Sequence, residues 1–243
     1  MDSFIRRQKE RLRQRTKADR AQGAVWVEAL DQLRLMLTAE GRSQLWTSVR
    51  YRAEVHQTSS YTEEDRYPQL FDKAAEVCPH PRRVLSFGCS TGEELLALRK
   101  RFPSAQIVGV DINGRSRRIA IRRTKSDPLM SVVSPNELAG SFDIIFALAV
   151  LQREPVKNEE VSRSDLSELY PFSRFNGTVS RLAALLRPEG ILCVAKSHYR
   201  VEDSSAAPEL ELVNDAPVEQ RHYYGPDSKL VGTETPGSMF RKK

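Results

Sequence analysis

The chain has 243 residues, 40% of them hydrophobic, and 38 Lys and Arg against 32 Asp and Glu give a formal charge of +6. A chain of this length can fold without disulfides or metals, and its three cysteines show no C-x-x-C spacing. Composition therefore excludes a disulfide framework and a zinc ribbon. The longest apolar run, 144–151, is far shorter than the about 20 residues that span a bilayer. Because the Arg-rich start also lacks the apolar core of a signal peptide, we expect a cytoplasmic protein.

Most of the positive charge lies in the first 20 residues, which contain eight Lys or Arg and three Asp or Glu. Segment 1–23 is predicted as a basic arm, because it has few apolar side chains to bury. A solvated arm is the main interpretation. Binding to an acidic partner, a membrane surface or RNA stays open, since clustered cations add affinity without specificity.

Helical spacing of apolar residues predicts an N-terminal helical cap over 24–78. From residue 79 to 243, short β-branched runs alternate with amphipathic segments, a pattern typical of βαβ units and a parallel sheet. The predicted strands are 84–87, 107–110, 130–133, 142–148 and 191–195, with weaker strands at 210–213 and 238–241. The predicted helices are 94–102, 115–125 and 179–186. An insertion at 153–176 is long enough to form a lid or a substrate wall.

A strand, a glycine turn and a helix follow one another over 84–94, an order that places a ligand at the carboxyl end of the strand. Gly88 can take a positive φ and let a ligand approach the main chain, while Ser90 or Thr91 can cap the helix. A plain structural turn would use the same residues. About twenty residues after the turn, the next strand ends in Asp111, whose carboxylate can accept both hydroxyl hydrogen bonds of a ribose.

The charge at the start of the helix separates two cofactors that share this pattern. A dinucleotide needs a helix N-terminus free of negative charge for its pyrophosphate, but Glu93 and Glu94 occupy that end. S-adenosylmethionine has the ribose without phosphates, and its ammonium and sulfonium groups are positive. The residues therefore favour S-adenosylmethionine as the cofactor.

Four motifs, in order, resemble those of class I S-adenosylmethionine-dependent methyltransferases. They are Val84 to Glu94, Val108-Gly109-Val110-Asp111, Ser141-Phe142-Asp143-Ile144-Ile145 and Leu186-Arg187-Pro188-Glu189-Gly190-Ile191-Leu192. The resemblance covers about residues 80–200, and the loop 88–94 is most similar to that of chemotaxis-receptor glutamate methyltransferases, with Ser90 in place of the usual second glycine. It implies a Rossmann-like α/β fold, in which a seven-stranded, mostly parallel sheet has helices on both faces and its last strand inserted antiparallel.

Carried over by position, the resemblance assigns the cofactor contacts. They are Ser86, Phe87, Gly88, Cys89, Ser90, Gly92, Glu93, Asp111, Ile112, Ser134, Ala147 and Leu148. Gly88 and its neighbours would line the methionine part, Asp111 would hold the ribose, and Ile112 would cover one face of the adenine. Ser134 would lie near the adenine amine. No metal is expected.

Methyl transfer from a sulfonium is an in-line displacement, so the acceptor has to be positioned and sometimes deprotonated. His198 follows the fifth strand and is the candidate base or substrate contact, although an ordinary loop histidine explains it as well. Candidate substrate-binding residues are His56, Tyr61 and Arg66 in the cap, and Arg153 at the start of the insertion.

The Asn/Asp-Pro-Pro-Tyr signature of enzymes that methylate amino groups is absent, since the matching segment 146–151 is entirely apolar. We therefore expect O-methylation of a small molecule or a glycan. A protein or RNA methyltransferase stays open, as does a non-catalytic cofactor-binding scaffold that uses the basic arm. A nucleotide-dependent oxidoreductase is disfavoured by Glu93 and Glu94.

Overall fold

The computed structural model describes residues 37–52, 54–57, 63–153, 164–217 and 221–243. The chain divides into two compact units, Met1–Trp46 and Thr47–Lys243, and the strands given below all belong to the second unit. The predicted arm at 1–23 lies outside the described residues, as do Tyr61 and residues 154–163 of the predicted insertion. The boundaries of the arm and of the cap remain predictions.

The described residues form the following helices and strands. The helices are α1 (Ala39–Arg50), α2 (Pro68–Val77), α3 (Glu93–Arg101), α4 (Gly114–Thr124) and α5 (Phe172–Leu185). The strands are β1 (Arg83–Phe87), β2 (Gln106–Val110), β3 (Met130–Val133), β4 (Phe142–Leu148), β5 (Leu186–Ala195), β6 (Leu210–Leu212), β7 (Arg221–Tyr224), β8 (Leu230–Glu234) and β9 (Met239–Lys242). Within the described ranges, no helix has both the length and the apolar character needed to cross a membrane.

Seven strands form one sheet, in the order β3-β2-β1-β4-β5-β9-β6. The first five strands in this order are parallel to one another. Strand β9 lies between β5 and β6 and is antiparallel to both. This topology confirms the predicted sheet and its inserted antiparallel last strand. The strand order reverses between β1 and β4, and open α/β sheets bind their ligands at the carboxyl edge beside such a reversal.

The alternation of side chains along the central strands builds a core on each face of the sheet. On one face, Val84 packs in a cluster with Phe71 of α2 and Leu95 of α3. On the other face, its neighbour Leu85 packs in a cluster with Phe175 of α5. Helices therefore cover both faces, as predicted, and the two buried faces explain why the central strands read as almost continuous apolar runs.

Asp143 gives the third motif a structural function at the amino end of the sheet. Its Oδ2 accepts hydrogen bonds from the main-chain N–H groups of Arg82 and Arg83, both at 2.7 Å. Its Oδ1 accepts from Nη1 of Arg187 at 2.6 Å. One carboxylate thus ties together the starts of β1, β4 and β5, at the end of the sheet opposite the candidate ligand edge.

Two local predictions need correction. Helix α5 begins at Phe172, seven residues before the predicted start at Val179, so the end of the predicted insertion is helical. The polar residues between the buried Phe175 and Val179 conceal the helical period in the sequence. The hairpin of β7 and β8 is also not predicted from the sequence, because both strands are short and leave many side chains exposed.

Candidate functional site

Three loops at the carboxyl edge of the sheet contain residues with left-handed backbone conformations. After β1, Gly88, Ser90 and Gly92 have φ values of 83°, 49° and 93°. Ala149 after β4 and Lys196 after β5 are also left-handed, each with a φ of 54°. Residues other than glycine rarely adopt this conformation, and in folded proteins such strain collects at functional sites. Because these loops also lie beside the reversal of strand order, where open α/β sheets bind ligands, they are the candidate site.

Gly88 occupies a position that accepts only glycine. A Cβ there would lie 2.7 Å from Cγ2 of Val150, in the segment that follows β4. The main-chain N–H groups of Gly88 and Cys89 both donate to the carbonyl oxygen of Val110, at 2.8 and 3.0 Å. The glycine turn therefore crosses the end of β2 directly beside Asp111.

Asp111 is held by main-chain groups on both sides. Its Oδ2 accepts from the N–H of Ser90 at 2.9 Å, and its Oδ1 accepts from the N–H of Asn113 at 2.7 Å. Burial raises the pKa of this carboxyl, while the two N–H groups act in the opposite direction. A carboxylate has about four acceptor positions, so two bonds fix its orientation and leave capacity for a pair of hydroxyl groups. This is the chemistry that a ribose needs.

The first turn of α3, directly after this loop, carries two further acidic side chains. Glu93 accepts a hydrogen bond from Oγ1 of Thr91 at 2.6 Å and forms an ion pair with Arg123 of α4. Glu94 accepts from Oγ of Ser86 at 2.7 Å. Arg123 thus offsets the charge of Glu93, and Glu94 remains as an acid with a hydroxyl partner at the end of β1.

Burial raises the pKa of Glu94 to about 7, against the opposing effects of the Ser86 hydroxyl and of nearby Arg66. The folded state therefore binds more protons than the unfolded state between pH 4.5 and 7, and this group makes stability fall as pH rises through that window. The difference in pKa corresponds to about 3 kcal/mol. We expect Glu94→Gln to increase the free energy of unfolding at pH 8 by up to this amount, measured by urea denaturation. Glu76→Gln, at an exposed glutamate of α2, should change it by less than about 0.5 kcal/mol.

His56 has the opposite pH dependence. Burial, with the nearby Arg174 and Arg153, lowers its pKa to about 4. The unfolded state then binds more protons between pH 4 and 6.5, so stability falls as pH drops through that window. In the wild type the two groups oppose each other between about pH 4.5 and 6.5. Glu94→Gln should therefore expose a loss of stability below pH 6.5, and equal pH slopes in the variant and the wild type would contradict this assignment.

Several residues predicted to bind the cofactor have their side chains directed elsewhere. Cys89, Ala147 and Leu148 pack in the core, so any contact with a ligand would come from their main chain. The N–H and hydroxyl of Ser134 both donate to Oε2 of Glu137, at 2.8 and 2.6 Å. Phe87 is partly buried, and its ring lies 6.4 Å from that of His56.

His56 and Arg153, both predicted to bind substrate, lie close together in the structure. Both ring nitrogens of His56 are engaged, because Nδ1 lies 2.6 Å from the Tyr170 hydroxyl and Nε2 lies 2.9 Å from Oγ1 of Thr178. Nη1 of Arg153 lies 3.5 Å from the carbonyl oxygen of His56. His56 is thus a buried, neutral link between residues 55–57 and α5.

Arg66 lies apart from this pair, in a cleft of about 320 Å³ between the start of α2 and the carboxyl end of β5. The described residues that line the cleft include Arg66, Lys196 and Arg221 and contain no carboxylate side chain. Nη2 of Arg221 donates to Oε1 of Gln152 at 3.0 Å, which joins the cleft to the segment after β4. The volume is in the range of small-molecule sites.

His198 is buried against the segment that follows β4, and it is not among the residues that line the cleft. Its ring nitrogen Nε2 lies 3.0 Å from the carbonyl oxygen of Arg153, and its main-chain N–H donates to the carbonyl oxygen of Leu151 at 3.4 Å. A carbonyl oxygen can only accept, so Nε2 carries the proton. Proton abstraction by His198 would therefore have to use Nδ1.

Sequence reasoning missed Tyr170, Arg174 and Thr178. Arg174 and Thr178 lie one helical turn apart at the start of α5, and a charged and a hydroxyl side chain there resemble an ordinary solvated helix face. Tyr170 is fully buried, and the carbonyl of Tyr170 accepts from the hydroxyl of Tyr199. No local sequence pattern indicates the contacts of these three residues with Val55 and His56, since the partners are more than 100 positions away. Within the described ranges, no three His, Cys, Asp or Glu side chains are grouped to hold a metal ion.

Among curated proteins, the chain is 30% identical over 112 residues to trans-aconitate 2-methyltransferase of Deinococcus radiodurans. The match covers 46% of this chain and 36% of that protein, so the chain spans about a third of the length of this relative.

Among solved structures, a sugar-modifying enzyme is similar, CalS10, an amino pentose methyltransferase from Micromonospora echinaspora. It has 18% identity and a TM-score of 0.41, with 73% of this chain and 63% of that chain covered. The N-methyltransferase NodS from Bradyrhizobium japonicum has 15% identity and a TM-score of 0.44, with coverage of 73% and 98%. At these TM-scores, the structures add nothing to a functional assignment.

A family model described as a methyltransferase domain matches residues 55–227. The matched region contains β1 to β5, the glycine turn, Asp111 and the segment after β4. It is well over half of the chain, and it confirms the family that the four motifs predict. The chain therefore belongs to the methyltransferase-domain family.

Proposed function

We propose that this chain binds S-adenosylmethionine at the carboxyl edge of β1, β2 and β4 and transfers its methyl group to an oxygen of a small molecule or a glycan. The observation that carries the proposal is Asp111, oriented by two main-chain N–H groups beside the left-handed turn at Gly88. A methyltransferase family with a ribose acceptor at this position fits a nucleoside cofactor.

The residues present fit S-adenosylmethionine. Asp111 would hold the ribose hydroxyls, the main chain around Gly88 would line the methionine part, and Ile112 would cover the adenine. Glu94 would face the ammonium group, because its carboxylate lies in the first turn of α3, directly after the glycine turn. When bound, the cofactor supplies an electrophilic methyl group on a positively charged sulfur. Glu93 and Glu94 disfavour a pyrophosphate at the start of α3, so they argue against a dinucleotide.

The protein's own contribution is to orient the acceptor and to exclude water from it. Residues 149–153, directly after β4, and the cleft beyond β5 are the surfaces that would do so. The cleft volume and the name of the curated relative, trans-aconitate 2-methyltransferase, both support a small-molecule acceptor. The free thiols Cys78, Cys89 and Cys193 support a cytoplasmic location.

His198 is the candidate base, and its geometry supports a positioning role instead, because Nε2 donates to the carbonyl of Arg153. We expect His198→Asn, whose amide can keep that bond, to lower kcat less than about tenfold and to leave the shape of the pH profile unchanged. A general base contributes about 10²-fold to 10⁴-fold. A loss of that size, with the pH dependence removed, would restore His198 as the base. His222→Asn, at an exposed histidine of β7, is the matched control.

The test of the proposed function is methyl transfer from S-adenosylmethionine carrying an isotopic label in the methyl group. The full chain is incubated with separate panels of organic acids, phenols, sugars, peptides and RNA, and each product is weighed by mass spectrometry. A labelled small molecule or glycan supports the proposal. Labelled peptide or RNA would replace it with a macromolecular methyltransferase, and cofactor binding without any labelled product would favour the scaffold.

A further inference from the structure

Two groups of charged side chains, one acidic and one basic, flank the candidate site. The acidic group comprises Glu93 and Glu94, in the first turn of α3, and Asp111, directly after β2. The segment after β4 and the start of α5 carry two arginines, Arg153 and Arg174. The acidic group suits a cationic cofactor. The two arginines therefore raise the question of which anionic group they bind.

Arg153 and Arg174 converge on one oxygen atom. Nη1 of Arg174 lies 3.3 Å from the carbonyl oxygen of Val55, and Nη1 of Arg153 lies 3.5 Å from the same atom. Both side chains are half-buried. Within the described ranges, their hydrogen bonds go to main-chain carbonyl oxygens, and neither forms an ion pair with a carboxylate. Two cations thus lie side by side with neutral partners.

None of the neighbouring groups that the structure describes neutralises this pair. Burial, followed by the proximity of Arg174, lowers the pKa of Arg153. His56 beside them is neutral, and burial raises the pKa of the Tyr170 hydroxyl well above its usual range. Arg174 also lies in the first turn of α5, where the helix dipole is already positive. Such a concentration of positive charge is costly unless an anion completes it.

The pair lies at the candidate site rather than on a remote surface. Arg153 ends the segment that begins at the strained Ala149, directly after β4. His56, which lies between the two arginines and β1, packs its ring against Phe87, the residue before Gly88. The pair is therefore linked to both strands that flank the reversal of strand order.

We propose that Arg153 and Arg174 bind a carboxylate group of the acceptor, so that the substrate is an acidic small molecule. This inference rests on the proposed function. Two guanidinium groups present paired N–H donors in the plane that a carboxylate prefers. The cofactor also has a carboxylate, but Arg66 already supplies a cation beside Glu94 in the cofactor loop.

The test is a calorimetric titration of the full chain, saturated with S-adenosylhomocysteine, with succinate and with citrate. We expect at least one acid to bind at up to about 10 mM, the weak end of measurable affinity. Arg174→Gln should weaken that binding about tenfold or more, and Arg174→Lys less. Arg181→Gln is the matched control, because Arg181 lies on the same helix and also donates to a main-chain carbonyl.

Titration of each variant with S-adenosylhomocysteine alone separates the two sources of carboxylate. Unchanged affinity for S-adenosylhomocysteine, with the acid lost, supports the proposal. A parallel loss of S-adenosylhomocysteine binding in Arg174→Gln would overturn it, because the pair would then serve the cofactor. Acid binding that is absent from the wild type, or equal in the wild type and Arg174→Gln, would also overturn it. A wild type that does not bind S-adenosylhomocysteine would instead contradict the proposed function.

Discussion

Asp111→Asn is expected to weaken the binding of S-adenosylhomocysteine about 100-fold. A carboxylate that accepts two ribose hydroxyl bonds contributes about 3 kcal/mol in total, because each bond to a charged acceptor is worth about 1.5 kcal/mol or more. The substituted amide also turns an N–H₂ group toward the main-chain N–H of Ser90 or Asn113, both of which now donate to the carboxylate. The measurement is the dissociation constant by calorimetry at pH 7.5.

The control for this prediction is Asp215→Asn. Asp215 is exposed and left-handed, with a φ of 58°, and asparagine accepts that conformation well. Its affinity for S-adenosylhomocysteine should equal that of the wild type. If Asp111→Asn keeps its thermal midpoint and still binds with wild-type affinity, the ribose is not held by Asp111.

Gly88→Ala is expected to impair both stability and cofactor binding. An alanine with a φ near 83° costs about 1 to 2 kcal/mol, and its Cβ would press on Val150, which adds about 1 to 3 kcal/mol. We expect the free energy of unfolding to fall by about 3 kcal/mol. Because the turn also has to move away from Val150, S-adenosylhomocysteine affinity should fall at least about tenfold.

Gly177→Ala makes the same chemical change where nothing opposes it. Gly177 lies inside α5, and a Cβ there would meet no atom within 4 Å. Since alanine favours a helix over glycine, this variant should gain about 0.5 to 1 kcal/mol and bind the cofactor normally. Urea denaturation of both variants checks the pair of signs. A Gly88→Ala protein as stable as the wild type would show that the turn tolerates a side chain.

The sequence predicts the sheet well because each central strand is a short apolar run bounded by turns. Asp111 and the glycine turn are also predictable, since Gly88 and Asp111 lie 23 positions apart along the chain and each follows a predicted strand. The predicted start of α5 lies seven residues after the observed one, because Ser173, Asn176 and Gly177 interrupt the apolar period between Phe172 and Val179. Local patterns therefore identify the cofactor side of the candidate site.

The acceptor side depends on contacts between distant parts of the chain. The pairing of Arg153 with Arg174 on the Val55 carbonyl joins three segments separated by up to 119 residues. In the sequence, each of these arginines resembles a solvated charge, and only the fold shows that they are adjacent. For His198, in contrast, the sequence indicates a function that the fold does not favour. Its position after β5 marked it as a candidate base, but the fold turns Nε2 toward a main-chain carbonyl.

The central claim is that the acidic turn and Asp111 bind S-adenosylmethionine rather than a dinucleotide. The most direct test is calorimetric titration of the full wild-type chain with S-adenosylmethionine, S-adenosylhomocysteine and reduced nicotinamide adenine dinucleotide. We predict binding of the first two with one site per chain, and no binding of the dinucleotide. Binding of the dinucleotide alone would contradict the account.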